Sequence, residues 1–150
     1  MLKEGDVAPD FSLESHERRI ISLHNYLGKK NILLYFYIKD YTPGCTKETC
    51  GFTKMFKRLE QGNFVVLGIS LDSVESHQKF AKDHDVPFPL LSDTDKKVAK
   101  AYGALAIMGL MNKRMTFIIG LDGKIGKIIE GISAGKHIEE VEKRLKKTLD

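Results

Sequence analysis

Residues 31–38, NILLYFYI, limit the choice of fold more than any other part of the chain. Apolar and aromatic residues follow one another there without the alternation of a half-exposed strand, so both faces of this strand must be covered. Helical periodicity follows: Phe52, Met55, Phe56 and Leu59 recur at i, i+3, i+4 and i+7, which marks one buried helix face. A second fully buried strand is expected over 64–71, FVVLGISL, and Asp72 with Glu75 reads as a capping box for a helix reaching about His84. Strands beside helices in this order belong to an α/β sandwich.

The remaining elements fit that frame. Short strands are expected over 11–13 and 20–22, joined by the polar turn 14–19. Pro87 and Pro89 hold off a regular strand until about Leu90. A short helix over 94–102 ends at Gly103, which suits the residue just past a helix C-terminus. Residues 115–120 read as a strand, and Asp122-Gly123 as a hairpin turn into 124–130. The chain closes on a helix over 136–149 with Ile138, Val141, Leu145 and Leu149 on one face. Its other face pairs Glu139/Lys143, Glu140/Arg144 and Glu142/Lys146 at i, i+4, a solvated surface. The expectation is one domain over 1–150 with a mixed central sheet flanked by helices.

Composition narrows the function classes. With 150 residues and 42% apolar content the chain can bury a sizeable core. The net charge of +4 comes from bases interleaved with acids, so nucleic acid is not an expected partner. No apolar leader opens the chain and its longest apolar run is too short to cross a bilayer, so a soluble, cytoplasmic protein without a membrane partner is expected. The histidines, at 16, 24, 77, 84 and 137, form no zinc spacing with the cysteines and read as surface or packing residues.

The only cysteines, Cys45 and Cys50, lie in YTPGCTKETCG, five positions apart. On a helix that spacing puts them roughly 140° apart around the axis, with Cα atoms about 8 to 9 Å apart. A disulfide does not close beyond roughly 7 Å without backbone movement. Either the pair never meets or the helix comes apart. Thr42, Pro43 and Gly44 place Cys45 in the helix's first turn or at its N-cap, at the strand end where α/β sheets bind ligands. Unpaired N–H groups and a positive partial charge there favour thiolate, the reactive form. Pro43 suits the first helical position, Thr42 could cap with its hydroxyl, and Glu48 could reach back toward the cap. The alternative is a small buried hydrophobe, the common fate of a free cysteine.

YFYIKDYTPGCTKETCGF resembles the active-site segment of the peroxiredoxins, whose signature is P-x-x-x-T-x-x-C, and specifically of the peroxiredoxin Q or bacterioferritin comigratory protein subfamily. GDVAPDFSL, LGISLDSVESHQKFAKDH, PFPLLSD, AYG and RMTFIIGLDGKI extend the resemblance over nearly the whole chain. It implies a thioredoxin-like fold and a thiol-dependent peroxidase acting on hydrogen peroxide and organic hydroperoxides. In that resemblance Cys45 is the peroxidatic cysteine, the Thr42 hydroxyl serves the peroxide, Arg114 holds the thiolate and polarises the peroxide, and Glu48 supports the arginine. Pro43 and Gly44 complete the turn. Without the resemblance, Arg114 reads as an exposed surface charge. Preorganised N–H groups, a hydroxyl and a guanidinium suit the negative charge that builds on the departing oxygen.

Cys50 stands where members of the subfamily carry a resolving cysteine, so the resemblance implies a sulfenic acid at Cys45 that condenses with Cys50 after local unwinding. Thr46, Thr49, Cys50, Gly51 and Thr53 are modest or poor helix formers, with glycine costing about 1 kcal/mol against alanine. Gly51 therefore either loosens the turn or merely permits close packing. The implied reductant is thioredoxin or a glutaredoxin-like dithiol protein, with no flavin, haem or metal cofactor, and resolution within one chain suggests a monomer. The signature proline falls at Ile38. Residues 103–114 look short for the subfamily, and the apolar ALAIMGLM reads as core, with a partner surface or organic hydroperoxide contact as the alternative. Two other functions compete. A thiol–disulfide oxidoreductase on the same fold would use C-x-x-C and a cis-proline near 114–115, which the prolines at 9, 43, 87 and 89 do not supply. A redox sensor would pass its oxidation to a client.

Overall fold

The computed structural model describes residues 2–106, 108–131 and 133–149, with Thr148 and Leu149 in backbone only. The Leu149 side chain, expected on the buried face of the last helix, thus lies outside the described residues, as does Ile107. The chain runs β1 (Ser12–Ser15), β2 (Ile20–Ser22), β3 (Asn31–Phe36), α1 (Pro43–Gln61), β4 (Phe64–Ser70), α2 (Val74–Asp83), β5 (Leu90–Ser92), α3 (Lys97–Ala101), β6 (Met115–Ile119), β7 (Ile125–Glu130) and α4 (Ala134–Leu149). The sheet has the order β2-β1-β5-β4-β3-β6-β7. It is mixed: β3 pairs with β4 in parallel and with β6 antiparallel, and β5 joins β4 in parallel. No helix among the described residues is long and apolar enough to cross a membrane.

Burial of β3 on both faces accounts for its unbroken apolar run. Leu33 and Tyr35 pack with Phe52, Met55 and Leu59 of α1 and with Val141 and Leu145 of α4. Ile32, Leu34 and Phe36 pack on the other side with Val98, Ala99, Tyr102 and Phe117. The strand is thereby fixed from both sides, and so is the loop that carries it into α1.

Several boundaries differ from the sequence reading for local reasons. Ser73, not Asp72, caps α2: its Oγ accepts from the Ser76 N–H at 3.1 Å. Asp72 turns inward and accepts from the Asp40 N–H at 2.9 Å. α3 starts only at Lys97, because Lys96 is left-handed (φ 66°) and Asp93 caps the turn by accepting from the Val98 and Ala99 N–H groups. Gly103 takes the expected left-handed conformation at φ 68°. In α4 the Glu139–Lys143 pair forms at 3.6 Å, whereas Glu142 reaches Arg58 of α1 at 3.1 Å.

Two larger departures concern 104–111 and Gly51. Met108 and Leu110 are 79% and 71% exposed, so this end of the apolar stretch is not core. The segment folds back on itself, with Ala106 N–H donating to the Met111 carbonyl and Leu105 bridging Asn112, which turns the Met108 and Leu110 side chains outward. At Gly51 a Cβ would lie 2.3 Å from Cδ1 and 2.9 Å from Cγ1 of Ile138, so the Ile138 side chain of α4 packs directly on the backbone of α1 there. Of the two readings of Gly51, the structure supports close packing.

Candidate active site

The loop from β3 to α1 is pinned by a buried polar brace. Asp40 accepts from the Tyr37 hydroxyl at 2.6 Å and from the Ser76 hydroxyl at 2.8 Å, and His77 Nδ1 lies 2.8 Å from it. His77 Nε2 meets the Leu91 carbonyl at 3.1 Å. Burial works against ionisation of Asp40, but the His77, Tyr37 and Ser76 hydrogen bonds hold its carboxyl below the usual range. Asp40, Asp72 and His77 each offer a metal-ligating atom within 4.8 Å of the others. These groups are engaged with one another and with Ser70, Ser76 and Tyr37, so the cluster reads as a brace for the loop. Sequence reasoning missed it because His77 and Asp40 are 37 positions apart, with no local pattern joining them.

The brace delivers residues 42–45 to the start of α1. Thr42 is the N-cap, with φ −73° and ψ 143°, and Pro43 opens the helix. The Thr42 hydroxyl does not cap; it donates to the Lys39 carbonyl at 2.8 Å, inside the loop. With no cap from Thr42, the first-turn N–H groups keep their partial positive charge for a guest anion. Cys45 is fully buried in that turn, and its Sγ accepts from the Ile38 N–H at 3.3 Å. Ile38 stands where the peroxiredoxin signature has proline, a residue without an N–H. The substitution therefore adds a donor to the sulfur that the signature residue cannot offer.

Arg114, just before β6, is only 7% exposed, contrary to its reading as a surface charge. A Cβ on Gly44 would lie 2.6 Å from Arg114 Nη2, so only glycine at 44 lets the guanidinium lie this close to the turn bearing Cys45. Arg114 Nη1 donates to Glu48 Oε1 at 3.3 Å. Glu48 is fully buried and does not reach back to the cap, because it lies a full turn beyond it and faces Arg114. Burial pushes its carboxyl from 4.5 up to about 8, against the opposing pull of Arg114. His137, read from sequence as a surface or packing residue, is fully buried in this cluster. Its Nδ1 lies 3.5 Å from Glu48 Oε2 and 2.9 Å from Thr116 Oγ1, and its Nε2 lies 3.1 Å from the Gly131 carbonyl. Burial pushes this imidazole down.

Both cysteines are free thiols on one continuous helix. Cys50 is half-buried, its Sγ 3.9 Å from His84 Nδ1. Helical geometry keeps it about 8 to 9 Å from Cys45 between Cα atoms.

A buried thiol in the first turn of a helix, fed by an arginine from across a thioredoxin-like sheet, agrees with comparison to known proteins. Residues 5–128 match the model of the AhpC/TSA family. This chain is a peroxiredoxin of that family. It is 41% identical to the putative peroxiredoxin bcp of Coxiella burnetii over 150 residues, which covers 96% of this chain and 99% of that one. Among solved structures, a cysteine-to-serine mutant of Xylella fastidiosa PrxQ superposes with a TM-score of 0.91 at 31% identity, covering 100% of this chain and 99% of that one. The bacterioferritin comigratory protein of Xanthomonas campestris, solved for its alkyl peroxide reduction activity, gives 0.85 at 27% identity and covers 93% and 92%. The fold is the thioredoxin-like fold of these peroxiredoxins, and membership makes the chain a thiol peroxidase.

Proposed function

We propose that Cys45 is the peroxidatic nucleophile and Cys50 the resolving thiol of an atypical two-cysteine peroxiredoxin. The observation that carries this is the setting of Cys45 Sγ: a fully buried sulfur accepting from Ile38 N–H, in an uncapped first turn whose Gly44 admits the Arg114 guanidinium. The Cys45 thiolate attacks one peroxide oxygen. The O–O bond breaks, sulfur takes the OH, and the other oxygen leaves as alkoxide or hydroxide and picks up a proton. First-turn N–H groups and Arg114 stabilise the charge developing on that oxygen. Thr42 reaches the peroxide by turning its hydroxyl away from the Lys39 carbonyl. Pro43 sets the backbone of the turn.

The resulting sulfenic acid condenses with the Cys50 thiol, forming an S–S bond and releasing water. Because α1 is continuous through both residues, it must unwind between them first. Two thiols of an external reductant, thioredoxin or a glutaredoxin-like protein, then return the pair to its reduced state. The substrates are hydrogen peroxide and organic hydroperoxides, the latter supported by the activity of the Xanthomonas relative. The cycle needs no cofactor and runs within a monomer in the cytoplasm.

Intact-protein mass and thiol counting, before and after one equivalent of hydrogen peroxide, test these roles. Wild type should lose both thiols to an intramolecular disulfide, Cys50→Ser should hold a sulfenic acid, and Cys45→Ser should stay inert. Persistence of both thiols in wild type overturns the assignment. Oxidation without turnover by a reducing system, but with rapid mixed-disulfide formation with a client, favours the sensor.

A further inference from the structure

The cluster of Glu48, Arg114 and His137 contains one buried oxygen with no hydrogen bond. Glu48 Oε2 is fully enclosed and unsatisfied, although His137 Nδ1 lies 3.5 Å away. The His137 tautomer follows from its other contacts. The Gly131 carbonyl is only an acceptor, so Nε2 carries a proton toward it. In a neutral imidazole Nδ1 is then a bare acceptor, whose single lone pair is faced by both the Thr116 hydroxyl at 2.9 Å and Glu48 Oε2 at 3.5 Å. An ionised Glu48 would face it acceptor to acceptor, with both side chains fully buried. One proton between Nδ1 and Oε2 resolves the conflict.

We propose that His137 is a positioning residue: it shares that proton with Glu48, holds Glu48 neutral, and so keeps the charge of Arg114 directed at the Cys45 turn instead of cancelled by a carboxylate. The proposal rests on the reading of Cys45 as nucleophile. Burial favours the neutral form of both partners, pushing Glu48 up and His137 down, which puts the proton on Oε2. Other charged or titratable groups facing Glu48 are Arg114 from before β6 and Tyr35 from β3, which also faces Cys45, with Arg114 and Lys136 of α4 acting on His137. The Tyr35 phenol, bonded to Thr49 at 2.9 Å and pushed well up by burial, stays neutral throughout. When Glu48 ionises at high pH, Arg114 is neutralised and its pull on the departing oxygen weakens.

Two readouts test this. The rate of Cys45 oxidation by hydrogen peroxide should fall on the alkaline side with a midpoint at about 8, where Glu48 ionises. In His137→Phe the acceptor for the Glu48 proton is gone, so the alkaline fall should move down by about one pH unit and the neutral rate should drop several-fold. His137→Asn, whose amide can meet Oε2, should recover most of the profile. Infrared difference spectra of the reduced protein at neutral pH should contain a carboxylic acid C=O band that disappears in Glu48→Gln and weakens in His137→Phe. A reactive wild type without an alkaline fall, a uniform rate loss in His137→Phe with unchanged profile, or no band assignable to Glu48 would each overturn the proposal. A wild type inert to peroxide would instead refute the nucleophile assignment, while the infrared band still reports on the shared proton.

Discussion

Gly51→Ala separates packing from unwinding in α1. The new Cβ falls 2.3 Å from Ile138 Cδ1 and 2.9 Å from its Cγ1, well inside the contact distance of about 3.5 Å. Either Ile138 leaves its rotamer, at about 0.5–1.5 kcal/mol, or α4 shifts, at an overpacking cost of about 1–3 kcal/mol. Replacing glycine inside a helix returns about 1 kcal/mol, so the single variant should be destabilised by about 0–2 kcal/mol. Ile138→Val deletes the nearest atom and costs about 0.5–1.5 kcal/mol alone. In the double variant the alanine Cβ takes the space of Cδ1, the remaining 2.9 Å approach to the γ carbon needs only a shift of a few tenths of an ångström, and the helix-propensity gain remains. It should therefore be at least as stable as Ile138→Val, with a favourable coupling of about 1–2 kcal/mol in a urea-unfolding cycle on reduced protein. The double variant is also the clean probe of unwinding: a helix about 1 kcal/mol tighter should form the Cys45–Cys50 disulfide about fivefold more slowly. Stabilities that add within about 0.5 kcal/mol would refute the close-contact reasoning.

Other outcomes follow from the same geometry. Gly44→Ala puts a Cβ 2.6 Å from Arg114 Nη2 and displaces the guanidinium, so oxidation by peroxide should slow by about 10²-fold, measured by stopped flow. Ile38→Pro removes the N–H donated to Cys45 Sγ, a bond worth about 0.5–1.5 kcal/mol, and should slow the same step about threefold to tenfold relative to Ile38→Val. Asp40→Asn leaves His77 buried beside an amide in place of a carboxylate, and thermal unfolding should reveal a loss of about 2–3 kcal/mol. Stability should also depend on pH through Glu48. Its value is raised on folding, so between 4.5 and about 8 the folded state keeps a proton that the unfolded chain has released, and stability falls as pH rises. His137, lowered on folding, acts in the opposite sense only up to its ordinary 6.5. From there to about 8 the fall should total about 2 kcal/mol, and Glu48→Gln should flatten it.

The sequence by itself determined the sheet and the thiol's address. An unbroken apolar run of this length reads as a strand covered on both faces, and Thr-Pro-Gly before Cys45 as the opening of a helix at that strand's end, because both rules act over a few neighbouring residues. It did not determine what surrounds the sulfur. Arg114 reads as a surface charge until β6 brings it against Gly44, and His137 and His77 read as ordinary histidines until α4 and α2 bury them against Glu48 and Asp40. The apolar 104–111 stretch likewise reads as core throughout, whereas among its described residues only Ala104 and Leu105 join the core and a backbone turn faces Met108, Leu110 and Met111 outward. Gly51 is as compatible with a loose helix as with a tight crossing until Ile138 is seen against it. Tertiary structure decided these points because burial, charge pairing and close approach depend on groups far apart in the chain, and only the folded sheet sets the distances between them.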